Sequence, residues 1–209
     1  ALEANNLNVT LNPTSYVYDG TEKEPEVIVK NGENLLQDGE DYTYTYEDNI
    51  NAGKGKVIVQ GLGNYTGQNT VNFDITKQMI NIPTGKTLVY NGSVQTGVDD
   101  NNLYTADMGN EGIDATTYTT TITLKDKDNY SWSDGTSEDK QIEWKIEPKN
   151  LEGNVTIKDI EDQTYTGNEI KVKPVITDDQ RKEVLIEDTD YTVSYTNNVE
   201  TGAATINIS

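Results

Sequence analysis

The chain of 209 residues has no cysteine and no histidine. Without cysteine there is no disulfide, no thiolate nucleophile and no thiolate-bound zinc. Without histidine the commonest general base, the Ser-His-Asp arrangement and nearly all transition-metal sites are gone as well. Positive charge is scarce: 16 Lys and Arg stand against 36 Asp and Glu, for a formal net charge of −20 and a pI near 4.1. Such a surface repels phosphates and anionic lipid, so nucleic acid and bare membrane are excluded as expected partners. No apolar run approaches the ~20 residues a spanning helix needs, and nothing at the start resembles a signal peptide. The stretch is expected to be a piece of something longer. Large apolar aromatics are few, with one Phe and two Trp beside 13 Tyr. One deep core is therefore not expected. Tyr packs its ring while its hydroxyl reaches water or backbone, which suits several thin β-layers.

What the chain does have is repetition. "YVYDG" at residues 16–20 returns as "LVYNG" at 88–92 and "QTYTG" at 163–167. The first and third copies continue in register: "DYTYTYEDN" at 41–49 matches "DYTVSYTNN" at 190–198, and the match runs from Asp41 and Asp190 to Gly53 and Gly202. The middle copy diverges, with "DATTYTTTITL", "DNYSW" and "KQIEWKI" in place of "NAGKGKVIVQ", "GNYTG" and "NTVNFDI". Recurrence at near-constant intervals marks a structural unit rather than an active site. The copies divide the chain at residues 1–76, 77–147 and 148–209. Aligning Gly202 with Gly53 sets Ser209 opposite Gln60, so the third copy is expected to be truncated before its closing strand.

Within each copy the apolar period is two. "TVNFDI" puts Val71, Phe73 and Ile75 on one face, and "QIEWKI" does the same with Ile142, Trp144 and Ile146. Gly, Asn and Asp gather at the turns, and no window forms a convincing amphipathic helix. The nearest, "DDQRKEVLIED", reads equally well as a charged loop entering a strand. The expected fold is all-β: tandem small immunoglobulin-like sandwich modules, with β-grasp-like modules as the alternative that would require a helix. In this frame Tyr18-Asp19-Gly20 and its relatives are corners. The ring pins the turn to the core edge, the polar residue bonds local backbone, and Gly takes positive φ.

No catalytic, cofactor-binding or metal-ligating set is assigned. Adjacent carboxylates at Glu40-Asp41, Asp99-Asp100 and Asp178-Asp179 do not straddle a scissile bond. The loop "KDKDNYSWSDGTSED" gathers Asp126, Asp128, Asn129, Asp134, Glu138 and Asp139, hard oxygen ligands suited to calcium but without EF-hand spacing. A solvated acidic loop is the plainer reading. Trp132, between two serines, is the one residue that suggests a sugar platform, unless it folds back as the lid of its own module. Asn-x-Ser/Thr sites at Asn8, Asn64, Asn91, Asn129 and Asn154 would be sugar acceptors in a eukaryotic secretory chain and are otherwise turn composition. "GLGNYTG" lacks the Lys and the helix of a phosphate loop. Lysine is sparse at apolar strand positions, so a Lys to Asn or Asp isopeptide crosslink is not expected.

Together "VYDGTEKEPEV", "DGEDYTYTYEDNINAGKGKVIVQGLGNYTG" and "NTVNFDI" resemble the bacterial immunoglobulin-like surface repeats known by their Tyr-Asp-Gly motif, the YDG and MBG types. "LVYNGSVQTGV" through "YSWSDGTSEDKQIEWKI" is similar to a companion type found in tandem with them. The resemblance implies an extracellular, wall-attached or secreted protein of a Gram-positive bacterium, in which these modules form stalks beside adhesive or enzymatic domains. It carries no catalytic residue. The function expected from it is a non-catalytic spacer, monomeric in this segment, that meets host glycans or proteins only through the parent protein. The alternative is an adhesin or carbohydrate-binding module that uses loops of the middle copy.

Overall fold

The computed structural model describes Leu2, Glu3 and residues 6–209, and it is all-β, with no α-helix among the described residues. By contacts the chain falls into two units. One comprises Ala1–Gly85, Val98–Asn110 and Thr119–Glu143, the other Lys86–Gly97, Glu111–Tyr118 and Trp144–Ser209. The first repeat, 1–76, lies wholly in the first unit and the third, 148–209, wholly in the second; the middle repeat contributes to both.

The first repeat contains β1 (Leu2–Glu3), β2 (Asn8–Asn12), β3 (Ser15–Val17), β4 (Glu26–Asn31), β5 (Asn34–Leu35), β6 (Tyr42–Glu47), β7 (Gly53–Gly61), β8 (Tyr65–Thr66) and β9 (Gln68–Thr76). One sheet runs β2-β4-β5 and the other β3-β9-β7-β6. Period-two alternation turns Leu11 and Val29 of the first sheet, and Val57, Val59, Phe73 and Ile75 of the second, into a single buried cluster. This is a sandwich core. Burial of each such side chain contributes roughly 1.5–3 kcal/mol. The strand that closes it is β9, antiparallel to β7 with Val57 opposite Val71 and Gly55 opposite Phe73, and parallel to β3 with Tyr16 opposite Ile75. Gly55 is needed where it stands, because a Cβ there would run into the Phe73 ring.

The middle repeat repeats that plan with β10 (Gln78–Ile80), β11 (Thr87–Val89), β12 (Gln95–Thr96), β13 (Tyr104–Ala106), β14 (Glu111–Gly112), β15 (Thr117–Leu124), β16 (Tyr130–Trp132) and β17 (Lys140–Glu147). In the first unit β10 runs parallel to β16 with Gln78 opposite Tyr130, as β1 runs parallel to β8 with Leu2 opposite Tyr65. The aligned "GNYTG" and "DNYSW" thus do the same work. β13 pairs antiparallel with β15, and Val98, Tyr104, Ile122, Leu124 and Trp132 form a second core. In the second unit β11 runs parallel to β17 with Leu88 opposite Ile146, the counterpart of Tyr16 opposite Ile75. Tyr118 stacks on Trp144 there at 4.4 Å.

The third repeat contains β18 (Val155–Ile157), β19 (Ile176–Asp178), β20 (Val193–Thr196) and β21 (Thr205–Ile208), paired antiparallel as β18-β19 and β20-β21. Its likeness to the first repeat holds bond for bond. Tyr42 and Tyr46 hydroxyls donate to the carbonyls of Val27 and Pro25; Tyr191 and Tyr195 donate to those of Pro174 and Val172. Asn49 Nδ2 donates to Lys23 O, and Asn198 Nδ2 to Ile170 O. The Asp-Tyr-Thr-x-x-Tyr strand therefore exists to hold the preceding segment by its carbonyls. The match of Lys23 to Ile170 explains why Lys23 is buried: its stem fills an apolar position while its Nζ reaches Asp19 and Thr21.

Candidate functional site

The three Tyr-x-Gly corners share one construction. The Tyr18 N–H donates to Thr76 O at 2.8 Å, and the Tyr90 N–H to Glu147 O at 2.9 Å, each at the end of a parallel strand pair. The middle residue accepts from the N–H two positions on: Thr21 to Asp19, Ser93 to Asn91 and Asn168 to Thr166. The glycine then takes φ of 80°, 75° and 76° at Gly20, Gly92 and Gly167, a region L side chains rarely adopt. Asp19 is also gripped by the Lys23 ammonium and Thr21, which hold its carboxyl far below the ordinary carboxylate range.

These corners reach further than a turn requires. Tyr18 of the first repeat sets its ring edge-on to Tyr130 of the second at 5.4 Å. Tyr90 of the second repeat lies under the Arg181 guanidinium of the third at 5.5 Å, and Arg181 Nη1 donates to the Tyr90 hydroxyl at 2.8 Å. Any side chain at Gly92 would strike Arg181. In both cases the corner tyrosine is engaged by the repeat that follows, with aromatic or cation–π contact worth ~0.5–2 kcal/mol. Tyr165, the third corner tyrosine, is 54% exposed.

The loop carrying Asp126 to Asp139 joins the first and second repeats. Asn129 Oδ1 accepts the Ala52 N–H at 2.8 Å, and its Nδ2 donates to Asn51 Oδ1 at 3.2 Å and Asp126 Oδ2 at 2.9 Å. The Gln78 N–H donates to the Asn129 carbonyl. Lys77 Nζ reaches the Lys127 carbonyl and Ser137 Oγ. The acidic groups of the loop are tied one by one rather than converging. The Asn129 side chain, with the N–H groups of Asn129 and Asp128, lowers Asp126. Lys140 with Thr136 brings Asp134 down to about 2, and Lys127 lowers Asp139. Among the described residues no three acidic groups come together in a way that would hold a cation.

Trp132 is fully buried in the second core, and its Nε1 donates to Glu138 O at 2.7 Å. It is the lid of its own module and offers no exposed platform for a sugar. The adjacent carboxylates also have turn-building duties. Asp41 accepts from Gln37 N–H, Asp179 from the Thr156 hydroxyl, and Asp178 from the N–H groups of Gln180 and Arg181. Asp178 and Lys149 form an ion pair at 2.9 Å with 5% and 12% of their side chains exposed. Burial alone would raise the Asp178 pKa, but the Arg181 N–H, the Lys149 ammonium and the Gln180 N–H outweigh it, and the carboxyl is held below its ordinary value. Sequence reasoning missed Arg181, Asn129 as a joint, the buried Lys23 and the half-buried Lys149; only the Tyr-x-Gly recurrence signalled that these corners mattered.

No protein-family model matches the chain, and no curated protein matches its sequence at a significant level. No helix among the described residues is long and apolar enough to cross a membrane.

Proposed function

We propose that the chain is a non-catalytic spacer segment of a secreted or wall-attached bacterial surface protein, built to hold other domains away from an anchor. The observation that carries this reading is the use of the first two corner tyrosines as fasteners: Tyr18 is taken up by Tyr130, and Tyr90 by Arg181. The buried Asn129 side chain supports it as well, since it bonds Ala52 and Asn51 of the preceding repeat. The likeness to Tyr-Asp-Gly surface repeats, the acidic exterior and the absence of cysteine and histidine agree with an extracellular stalk of a Gram-positive cell. The sugar-binding alternative rested on an exposed Trp132, and that residue is enclosed.

The test is binding to immobilised mucin and host glycans under conditions that give a signal with a known lectin. A spacer gives no saturable binding. Saturable binding lost on mutating surface residues of the middle repeat would replace the spacer with an adhesin.

A further inference from the structure

Two Asn-Gly steps occur in the chain, Asn31-Gly32 and Asn91-Gly92. Such a step can lose the asparagine amide, because glycine has no side chain to keep its nitrogen from the neighbouring carboxamide. The Gly nitrogen, after giving its proton to hydroxide, bonds to the Asn Cγ; the Cγ–Nδ2 bond breaks and ammonia leaves. Water then opens the five-membered imide at either carbonyl, giving aspartate or isoaspartate. One water is consumed, one ammonia is released, and nothing is oxidised or reduced.

The structure treats the two steps differently. Asn31 ends β4 and is paired with Asn34 in the hairpin ladder, and closing the imide ring would turn its carbonyl out of that ladder. Asn91 lies just past the end of β11, is half-buried, and its carbonyl accepts no backbone hydrogen bond among the described residues. The Ser93 N–H donates to Asn91 Oδ1 at 2.9 Å, which draws electrons from Cγ, while Nδ2, the group that leaves, has no partner among the described residues. Nor has the Gly92 N–H an acceptor among them. The Arg181 guanidinium lies against Gly92, where any Cβ would strike it. A fixed positive charge there favours the nitrogen anion from which attack begins. The first corner is spared: Asp19, before Gly20, is a carboxylate held ionised by Lys23 and Thr21, and an ionised carboxylate is a poor electrophile.

We propose that Asn91 deamidates spontaneously and that its isoaspartate product loosens the joint between the second and third repeats. Isoaspartate adds one methylene to the main chain between residue 91 and Gly92. It thereby parts the Tyr90 ring and hydroxyl from the Gly92 backbone, the two surfaces that Arg181 engages together. The bond from Tyr90 N–H to Glu147 O stays, so the strand holds while the corner beyond it shifts. The aspartate product acts the other way. In place of Lys23 this corner has Gln95, whose Nε2 is occupied by Val89 O. A carboxylate at position 91 therefore finds its cation in Arg181, across the joint. The freshly made chain carries the amide, and ageing divides it between a loosened and a tightened form.

The experiment ages the full chain in mildly alkaline buffer at physiological temperature. Peptide mapping by mass spectrometry follows the amide-to-acid mass gain at each Asn-Gly step, with electron-transfer fragmentation to tell isoaspartate from aspartate. Asn91 is expected to convert about tenfold or more faster than Asn31, from the ladder bond that opposes Asn31 and the charge that assists Asn91. Arg181→Gln should slow Asn91 about fivefold and leave Asn31 unchanged, the Asn31 rate serving as the check that the variant is folded. Aged fractions are then separated by anion exchange and compared by hydrogen exchange. The isoaspartate form should exchange the Arg181 amide about fivefold or more faster than the fresh chain, with residues 42–47 unaltered. Asn91→Asp should exchange no faster than the fresh chain, and Asn91→Thr, which borrows Thr166 of the third corner, should not age at this position. Conversion at Asn91 no faster than at Asn31, an Asn91 rate untouched by Arg181→Gln, or an isoaspartate form that exchanges like the fresh chain would overturn the proposal.

Discussion

Asn129→Ala is the sharpest perturbation of the joint between the first two repeats. It deletes three side-chain bonds, to the Ala52 N–H, Asn51 Oδ1 and Asp126 Oδ2, and leaves the backbone bond from Gln78 intact. The two neutral bonds contribute ~1 kcal/mol each and the bond to the ionised Asp126 ~2, an upper sum of about 4 kcal/mol. Asn51 is exposed, so water takes up part of the loss and the expected destabilisation is about 2–4 kcal/mol. The loss falls on a contact between repeats, so the urea transition should also broaden as the first repeat begins to unfold apart from the second. Urea denaturation followed by tryptophan fluorescence reports the second repeat through Trp132, and far-ultraviolet circular dichroism reports both. A loss below ~0.5 kcal/mol, the level of an ordinary surface substitution, would refute the view that Asn129 fastens the joint.

Asp178→Ala strips Lys149 of its partner and two N–H groups of their acceptor, and should cost about 3–5 kcal/mol in thermal or urea unfolding, whereas a cost under ~1 would show that the pair is dispensable. Asp19, Asp126, Asp134, Asp139 and Asp178 all have carboxyl pKa values lowered by folding. Their contribution is therefore complete above the ordinary value of 3.8 and is lost as pH falls, for Asp134 through about 2. Unfolding midpoints should drop steeply below pH ~4, and Asp134→Asn should flatten that drop. Gly55→Ala drives a methyl into the buried Phe73 ring and should destabilise by about 1–3 kcal/mol, partly rescued by Phe73→Leu in a double-mutant cycle. Crosslinking of Lys149 to Asp178 requires a neutral carboxyl, which the held ionisation of Asp178 opposes, so intact mass should equal the sequence value; a deficit of one water would contradict this.

The parts of the fold that could be read from sequence are those governed by local rules. Period-two alternation located β9 and β17 and put Phe73, Ile75, Trp144 and Ile146 inside, as found. The Tyr-x-Gly turns were legible because positive φ leaves a Gly signature. The "DDQRKEVLIED" stretch is the charged loop the pattern allowed: the end of β19, then a turn capped by Asp178, with Lys182 at φ 59°. What could not be read depends on residues far apart in the chain. Nothing local tells Arg181 to seek Tyr90, or Asn129 to seek Ala52. Lysine was expected to be sparse at apolar positions; Lys23 is buried and Lys149 half-buried because each has an aspartate within reach. Trp132, flanked by serines, could be read as a platform or as the lid of its own module; its strand pairs with β10 and its ring is buried in the second core. Acidic density gave calcium only as the lesser reading of that loop, where Asp126 is engaged by N–H groups and Asp134 and Asp139 by lysines.

The central claim is that the repeats are fastened to each other through the Tyr-x-Gly corners and the loops they meet. It is tested most directly by a distance between two repeats in solution. The chain has no cysteine, so Thr45→Cys on β6 and Glu143→Cys on β17 take spin labels uniquely. Double electron–electron resonance should give one narrow distance distribution for the doubly labelled chain. With Tyr18→Ala and Asn129→Ala added together, the distribution should broaden while circular dichroism stays that of folded β-sheet. A distribution already broad in the parent chain, or one unchanged by removing both contacts, would contradict the claim.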